Sequence, residues 1–172
     1  MISQAPPEPT IFCLSGNPVL TMPPLPIDDA SDTDAQSAQP ACVLVFNAND
    51  PSGAGGLAGD INAIASVGAH ALPVVTGAYT RDTAEIVDHH AMGDDAVREQ
   101  GRTILEDVSA QVFKIGFCGS AENLSAIAEI TSDYADVPVI AYMPDLSWWS
   151  EVQIDLYLDA FRELILPQTT VL

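Results

Sequence analysis

The sequence predicts an α/β fold of three layers, α/β/α, around a mainly parallel sheet. Two observations carry this. Near-continuous apolar runs of strand length alternate with segments whose apolar residues recur at helical spacing. The joints between them hold Gly, Ser and Asp where helices start and stop. In such sheets ligands sit beyond the carboxyl ends of the strands. That singles out four connecting segments: 47–56, 77–83, 116–119 and 142–145.

Taken in order, residues 1–40 are acidic and hold most of the prolines, with no periodicity, and read as a disordered tail. The domain is expected over 41–172. The run Val43-Leu44-Val45-Phe46 reads as a strand that enters a glycine-rich loop. Leu57, Ile61, Ile64 and Ala65 then form a helical stripe that Gly68 stops. Residues 71–78 read as a second buried strand, and 83–90 as a short edge strand around Ile86-Val87. A helix over 93–108 carries Val97, Gly101, Ile104, Leu105 and Val108 on one face, with Asp94 and Asp95 in its first turn as the dipole prefers. Residues 112–116 form the next strand, and Ser120 caps a helix with Ala121, Leu124, Ile127 and Ala128 inward. After a strand over 137–142, Ser150 and Gln153 fit a capping box. The helix it opens carries the apolar residues Val152, Leu156, Phe161, Leu164 and Ile165. Residues 169–172 begin one more strand, so the sheet is expected to be incomplete at the C-terminus. That edge strand is one through which two copies can pair as a homodimer.

Composition narrows the function. With 24 acids against 5 bases the net charge is −19, which disfavours nucleic-acid and anionic-membrane binding. A bound phosphate would need backbone N–H groups, a metal ion or very few cations. The three cysteines have neither disulfide nor metal-ligand spacing. With no basic leader at the N-terminus and no long apolar run, the cytoplasm is the expected location.

Several motifs offer chemistry. Gly53-x-Gly55-x-x-Ala58 matches the dinucleotide fingerprint formally, but no acid lies between Asp60 and Asp82 to meet a ribose. The only lysine is Lys114, so there is no P-loop. Asp88-His89-His90 has the spelling of a metal phosphoesterase triplet without the upstream ligands that chemistry needs. A solvated polar loop accounts for it. Cys118, at a strand's carboxyl end, is a nucleophile or a small buried hydrophobe. Trp148-Trp149 either stack on a ring or pack a helix entry.

A longer series carries a resemblance. Residues 47–60 read NANDPSGAGGLAGD, followed by Val74-Val75-Thr76-Gly77, Lys114-Ile115-Gly116, Gly119-Ser120-Ala121-Glu122 and Leu166-Pro167-Gln168. This resembles the hydroxymethylpyrimidine/phosphomethylpyrimidine kinase family of thiamine biosynthesis, with its ribokinase-like fold. The family's own segments are AGSDPSGGAGIQADLKT, VITALTAQNT, KIGM and LLP. The match covers about 42–172 and only the N-terminal half of a family member. The resemblance implies ATP-dependent phosphorylation of a pyrimidine's hydroxymethyl oxygen and of the resulting monophosphate, with ATP and Mg²⁺. By position, Asp60 is expected to face the pyrimidine pocket, and Gly55 to bring its backbone near the hydroxymethyl group. Asp60 is alternatively a solvated helix residue.

Departures from the family alter these expectations. Arg81 stands where the family has a pyrimidine-contacting Gln. It only donates, and its charge suits a phosphorylated, carboxylated or otherwise anionic ligand. Phe117 replaces a Met and makes a larger wall. The aspartate that organises metal and phosphate is replaced by Tyr142, leaving Asp145, with Asp50, as the acids expected near phosphate or metal. The family's Gly-x-Gly-Asp segment, with its anion hole and general base, does not occur in this sequence. No catalytic residue is therefore assigned here, and these residues alone are not expected to turn over. The alternative is an inactive descendant acting as a small-ligand or protein-interaction module.

Overall fold

The structure is a computed structural model that describes residues 39–172. The tail expected over 1–40 lies outside the described residues apart from Gln39 and Pro40.

The elements run β1 (Cys42–Asn49), α1 (Gly56–Ser66), β2 (His70–Arg81), β3 (Ile86–Ala91), α2 (Asp94–Asp107), β4 (Val112–Ile115), α3 (Ala121–Asp133), β5 (Val139–Ala141) and α4 (Glu151–Ala160). A π-helical turn, Phe161–Ile165, and a 3-10 turn, Leu166–Gln168, come after α4. The sheet order is β3-β2-β1-β4-β5, with every pair parallel except β2–β3.

β1 lies at the centre, and Leu44, Val45 and Phe46 are wholly buried. The chain leaves β1 in one direction through α1 to β2, then returns through α2 to β4 on the other side. Right-handed crossovers in opposite directions place α1 on one face and α2 and α3 on the other. Side chains agree. Leu44, Phe46, Leu72, Val74, Phe113 and Ile115 join the core formed with α2, α3 and α4. Asn47, turned the other way, bonds to Asp60 on α1. Helix α2 comes close at Gly101, where a Cβ would stand 2.9 Å from Ile130 Cδ1 and 3.3 Å from Phe46 Cε1.

Five expectations need correction. Residues 77–83 are not a loop: β2 continues to Arg81 and turns back as β3. Tyr79 and Thr80 favour the strand, and the Asp82 carboxylate makes the turn by accepting the Ala84 and Glu85 N–H groups. Those bonds hold the Asp82 carboxyl below its usual range. Asp88-His89-His90 is accordingly strand, not a polar loop. On α4 the inward stripe is Tyr157, Phe161 and Ile165, while Val152 and Leu156 are exposed. Tyr157 is tolerated inside because its hydroxyl accepts the Cys118 N–H at 3.0 Å. The capping box is open: the Ser150 hydroxyl donates to Gln153 Oε1 at 3.0 Å and caps no N–H. Of the α1 stripe only Leu57 is buried, and α1 packs mainly on β1 and β2.

Ser120 caps α3 as expected, accepting the Asn123 N–H at 3.1 Å. The final residues join the sheet beside β5, where Val171 pairs with Ile140 and its carbonyl accepts the Ala141 N–H at 2.9 Å.

Candidate functional site

The first loop converges on one buried carboxylate. Asp50, 4% exposed, ends the run from β1. Its Oδ1 accepts the Ser52 N–H at 2.8 Å and the Ser52 hydroxyl at 2.7 Å. Its Oδ2 pairs with Arg81 Nη1 at 3.2 Å. Gly56, at φ +57°, lets the backbone pass so close that a Cβ would overlap the Ala48 carbonyl oxygen and stand 2.8 Å from Asp50 Cβ. Gly55 is the extended residue before α1, and no side chain caps that helix. The first turn of α1 is thus without a side-chain cap and starts beside Asp50, whose Oδ2 would lie 3.6 Å from a Cβ at Gly55.

Asp60 is held on the α1 face. Lys114 Nζ lies 2.8 and 2.7 Å from its two oxygens, and Asn47 Nδ2 donates to it at 2.7 Å. Asn47 Oδ1 in turn accepts the Ala48 and Phe117 N–H groups. One amide thus ties the ends of β1 and β4 to α1, a hub that sequence reasoning misses. No spacing rule links residues 47, 60 and 114.

Phe117 is 1% exposed and lies inside a cluster of rings. Tyr79 stacks on it at 5.5 Å and 17°, with His89 and Trp148 edge-on at 4.8 and 5.7 Å. Trp148 and Trp149 stack at 5.6 Å and 19°, and Trp149 meets Phe117 and Tyr157. β3 brings His89 into this cluster, between Gly77 and Gly119, where a Cβ at either glycine would overlap its ring. Its Nε2 is buried without a partner. Burial, with His90 nearby, pushes the imidazole pKa down to about 4, so it is neutral at pH 7. Burial and the Asp50 carboxylate push the Tyr79 hydroxyl above its usual range. A bulge sets this geometry. Asn47 pairs with Val75 and Ala48 with Gly77, leaving Thr76 over, and its hydroxyl donates to the Phe117 carbonyl at 2.8 Å.

Cys118 is wholly buried and its thiol is pushed up to about 12 by burial, so it is a small core residue rather than a thiolate. Asp145 is exposed. The Ser147 N–H and hydroxyl hold its carboxyl below the usual range. It shares a cavity of about 430 Å³ with Arg81, Glu85, Ile86, Ser147 and Trp148. A second cavity of about 350 Å³ lies on the other side of Trp148, against His89, Gly119, Ser120, Trp149 and Gln153. A larger one, about 930 Å³, lies away from the mouth, between the start of β2 and α2. It holds none of the loops at the carboxyl ends.

The five basic residues are all in ion pairs: Arg81 with Asp50, Arg98 with Asp94, Asp95 and Glu129, Arg102 with Asp133, Lys114 with Asp60, and Arg162 with Asp159. Among the described residues no three His, Cys, Asp or Glu side chains come together as a metal site. Asp50 is committed to Arg81 and the Ser52 turn, and Asp145 to Ser147. No described helix is long and apolar enough to cross a membrane.

Comparison with known proteins places the chain in a family. Residues 50–172 match the family model described as phosphomethylpyrimidine kinase. A hydroxymethylpyrimidine/phosphomethylpyrimidine kinase of Streptomyces coelicolor is 26% identical over 133 residues, 77% of this chain and 49% of the relative. The chain thus spans about half the length of that relative. The fold is that of a phosphomethylpyrimidine kinase from Clostridium difficile, with a TM-score of 0.67 at 18% identity, covering 75% of this chain and 56% of the other. A pyridoxal kinase from Bacillus subtilis, solved with ADP, gives 0.67 at 19%, covering 77% and 51%. The sheet is therefore ribokinase-like. With the match running from the buried Asp50 to Leu172, the chain belongs to the phosphomethylpyrimidine kinase family.

Proposed function

We propose that this chain supplies the pyrimidine-facing half of an ATP-dependent phosphomethylpyrimidine kinase, and that phosphoryl transfer requires residues outside these 172. The observation that carries the reading is the uncapped, glycine-rich head of α1, opening beside Asp50 and Arg81 at the carboxyl ends of the strands. Backbone N–H groups there suit a hydroxymethyl or phosphate oxygen without using a cation. Gly55 gives the close approach, Phe117 and Tyr79 form an apolar floor, and Arg81, steadied by Asp50, replaces a neutral amide at the ring edge. No general base or phosphate cradle is assigned in this sequence. Mg²⁺ would arrive with the nucleotide's phosphates. The same reading gives a cytoplasmic site of action. It also gives pairing of two copies at the Val171 edge, which a monomeric mass at every concentration in light scattering would exclude.

The test is isothermal titration of the chain with hydroxymethylpyrimidine, its monophosphate and ATP–Mg²⁺ separately. Binding of a pyrimidine without ATP is the expected result. Tight ATP binding would overturn the assignment of the nucleotide site to residues outside these 172. A second reading, a non-catalytic module for another small ligand or a protein, draws on the rings that fill the mouth. Binding of none of the three compounds would favour it.

A further inference from the structure

Trp148 is the one side chain that walls both cavities at the mouth. On one side lie His89, Gly119 and Ser120, and on the other Arg81 and Asp145. Its indole sits edge-on to Tyr79 at 5.8 Å and to Phe117 at 5.7 Å. It is therefore a planar ring already seated against the apolar floor. Its polar attachment is local, since Nε1 donates to the Asp145 carbonyl at 3.0 Å within the same loop. The neighbouring hydrogen bonds are local too. Ser147 bonds to Asp145, and the Trp149 N–H to the Leu146 carbonyl. Only apolar contacts, from Leu146, Trp148 and Trp149, fasten this turn to the core. The indole can therefore leave the floor without breaking a hydrogen bond to the rest of the molecule. The cost is the edge contacts with Tyr79 and Phe117 and the stacking on Trp149, aromatic contacts of a kind that a ligand ring in the same place restores.

We infer that Trp148 is a specificity-determining residue and the partition of this mouth: a planar ring ligand binds by taking the place of its indole, which joins the two cavities into one cleft. This rests on the pyrimidine reading for the natural ligand, but not for the slot itself. Ligands that are not flat are rejected because the space offered is the space an indole vacates. Arg81 and Asp145 then meet substituents on one side of the ring, and Ser120 and Gln153 those on the other.

The experiment separates the slot from the pyrimidine. Hydroxymethylpyrimidine and free indole are each titrated into the unmodified chain, Trp148→Ala and Trp148→Phe. Expected is pyrimidine binding at least tenfold tighter in Trp148→Ala than in the unmodified chain, with Trp148→Phe between, and indole binding in Trp148→Ala alone. Equal pyrimidine affinity in all three overturns the partition and leaves the pyrimidine reading standing. Indole binding to Trp148→Ala without pyrimidine binding anywhere supports the partition and removes the pyrimidine reading. Neither compound binding a folded Trp148→Ala overturns the partition. Should Trp148→Ala fail to fold, Trp149→Phe leaves Trp148 as the only tryptophan. Its emission should then shift to the red when hydroxymethylpyrimidine saturates the protein, and an unmoved spectrum at saturation, or no binding, overturns the inference.

Discussion

At the scale of single residues, the mouth depends on a pair formed across 31 positions of sequence. Asp50 is almost wholly buried and Arg81 is mostly so. Removing one member leaves a charge in a poor environment, which costs more than the pair itself contributes. Asp50→Ala should therefore lose about 3 kcal/mol, and also the Ser52 turn. Arg81→Gln, which restores the family's amide, should lose less, about 1–2 kcal/mol, because an amide still donates to Asp50. Urea unfolding checks the order; equal losses would mean that the carboxylate is not the anchor. His89 makes a separate mark in pH. Its folded pKa of about 4 lies below the ordinary 6.5. Above pH 6.5 it is neutral in both states and contributes nothing. As pH falls from 6.5 to 4 the unfolded chain takes up a proton that the folded one refuses, and stability drops. Below 4 the loss is complete. His89→Gln, melted beside the unmodified chain from pH 7.5 to 4.5, should lack this part of the decline. Parallel curves would place the imidazole in water. Neither behaviour is legible in the sequence. Arg81 stands out there as a replaced Gln and Asp50 as an acid near phosphate, but what they touch depends on strands meeting. The edge strand that carries His89 is legible around Ile86-Val87, but the ring cluster that His89 enters is not, because it forms only when β3 pairs with β2.

At the scale of elements, the strands and the order of α and β are legible because their signals are long and local. Four parallel strands, each rich in Val, Ile, Leu or Phe, and the amphipathic helices between them leave little choice of fold class. The failures have physical causes. Periodicity picks Phe161 and Ile165 correctly but takes Val152 and Leu156 in place of Tyr157, because burial of Tyr157 depends on a backbone donor beyond the end of β4, Cys118. The β2–β3 hairpin is cut short in the sequence because its turn is closed by the Asp82 carboxylate rather than by glycine. Helix packing itself makes a sharp expectation at Gly101. An added methyl meets the mobile end of Ile130, which can give way, whereas branching there also meets the Phe46 ring. Gly101→Ala should thus change stability little, the lost glycine entropy offsetting the contact. Gly101→Val should cost about 2 kcal/mol by overpacking. Chemical denaturation of the two variants distinguishes them, and equal stability would mean that α2 stands off the sheet.

At the scale of the whole molecule, charge decides what the mouth can hold. Five cations cannot neutralise 24 acids, and each cation is already committed to a carboxylate. Repulsion among the remaining acids opposes the compact state. The two sheltered pairs, Arg81–Asp50 and Lys114–Asp60, are poorly screened by salt, and the exposed pairs contribute little to begin with. Screening should therefore relieve repulsion more than it weakens attraction. Raising sodium chloride from about 0.02 M to about 0.5 M shortens the screening length from about 20 Å to about 4 Å, and the thermal midpoint should rise by about 3 °C. A midpoint that stays level or falls would mean that the ion pairs outweigh the net charge. The same balance governs anions. With no uncommitted cation at the mouth, inorganic phosphate has only the α1 N–H groups to meet, and its charge is opposed by the surrounding acids. At matched ionic strength, phosphate should raise the midpoint no more than sulfate does. A phosphate-specific gain would instead mean that Arg81 releases Asp50 to bind the anion, which would make the pair at the mouth a switch rather than a strut.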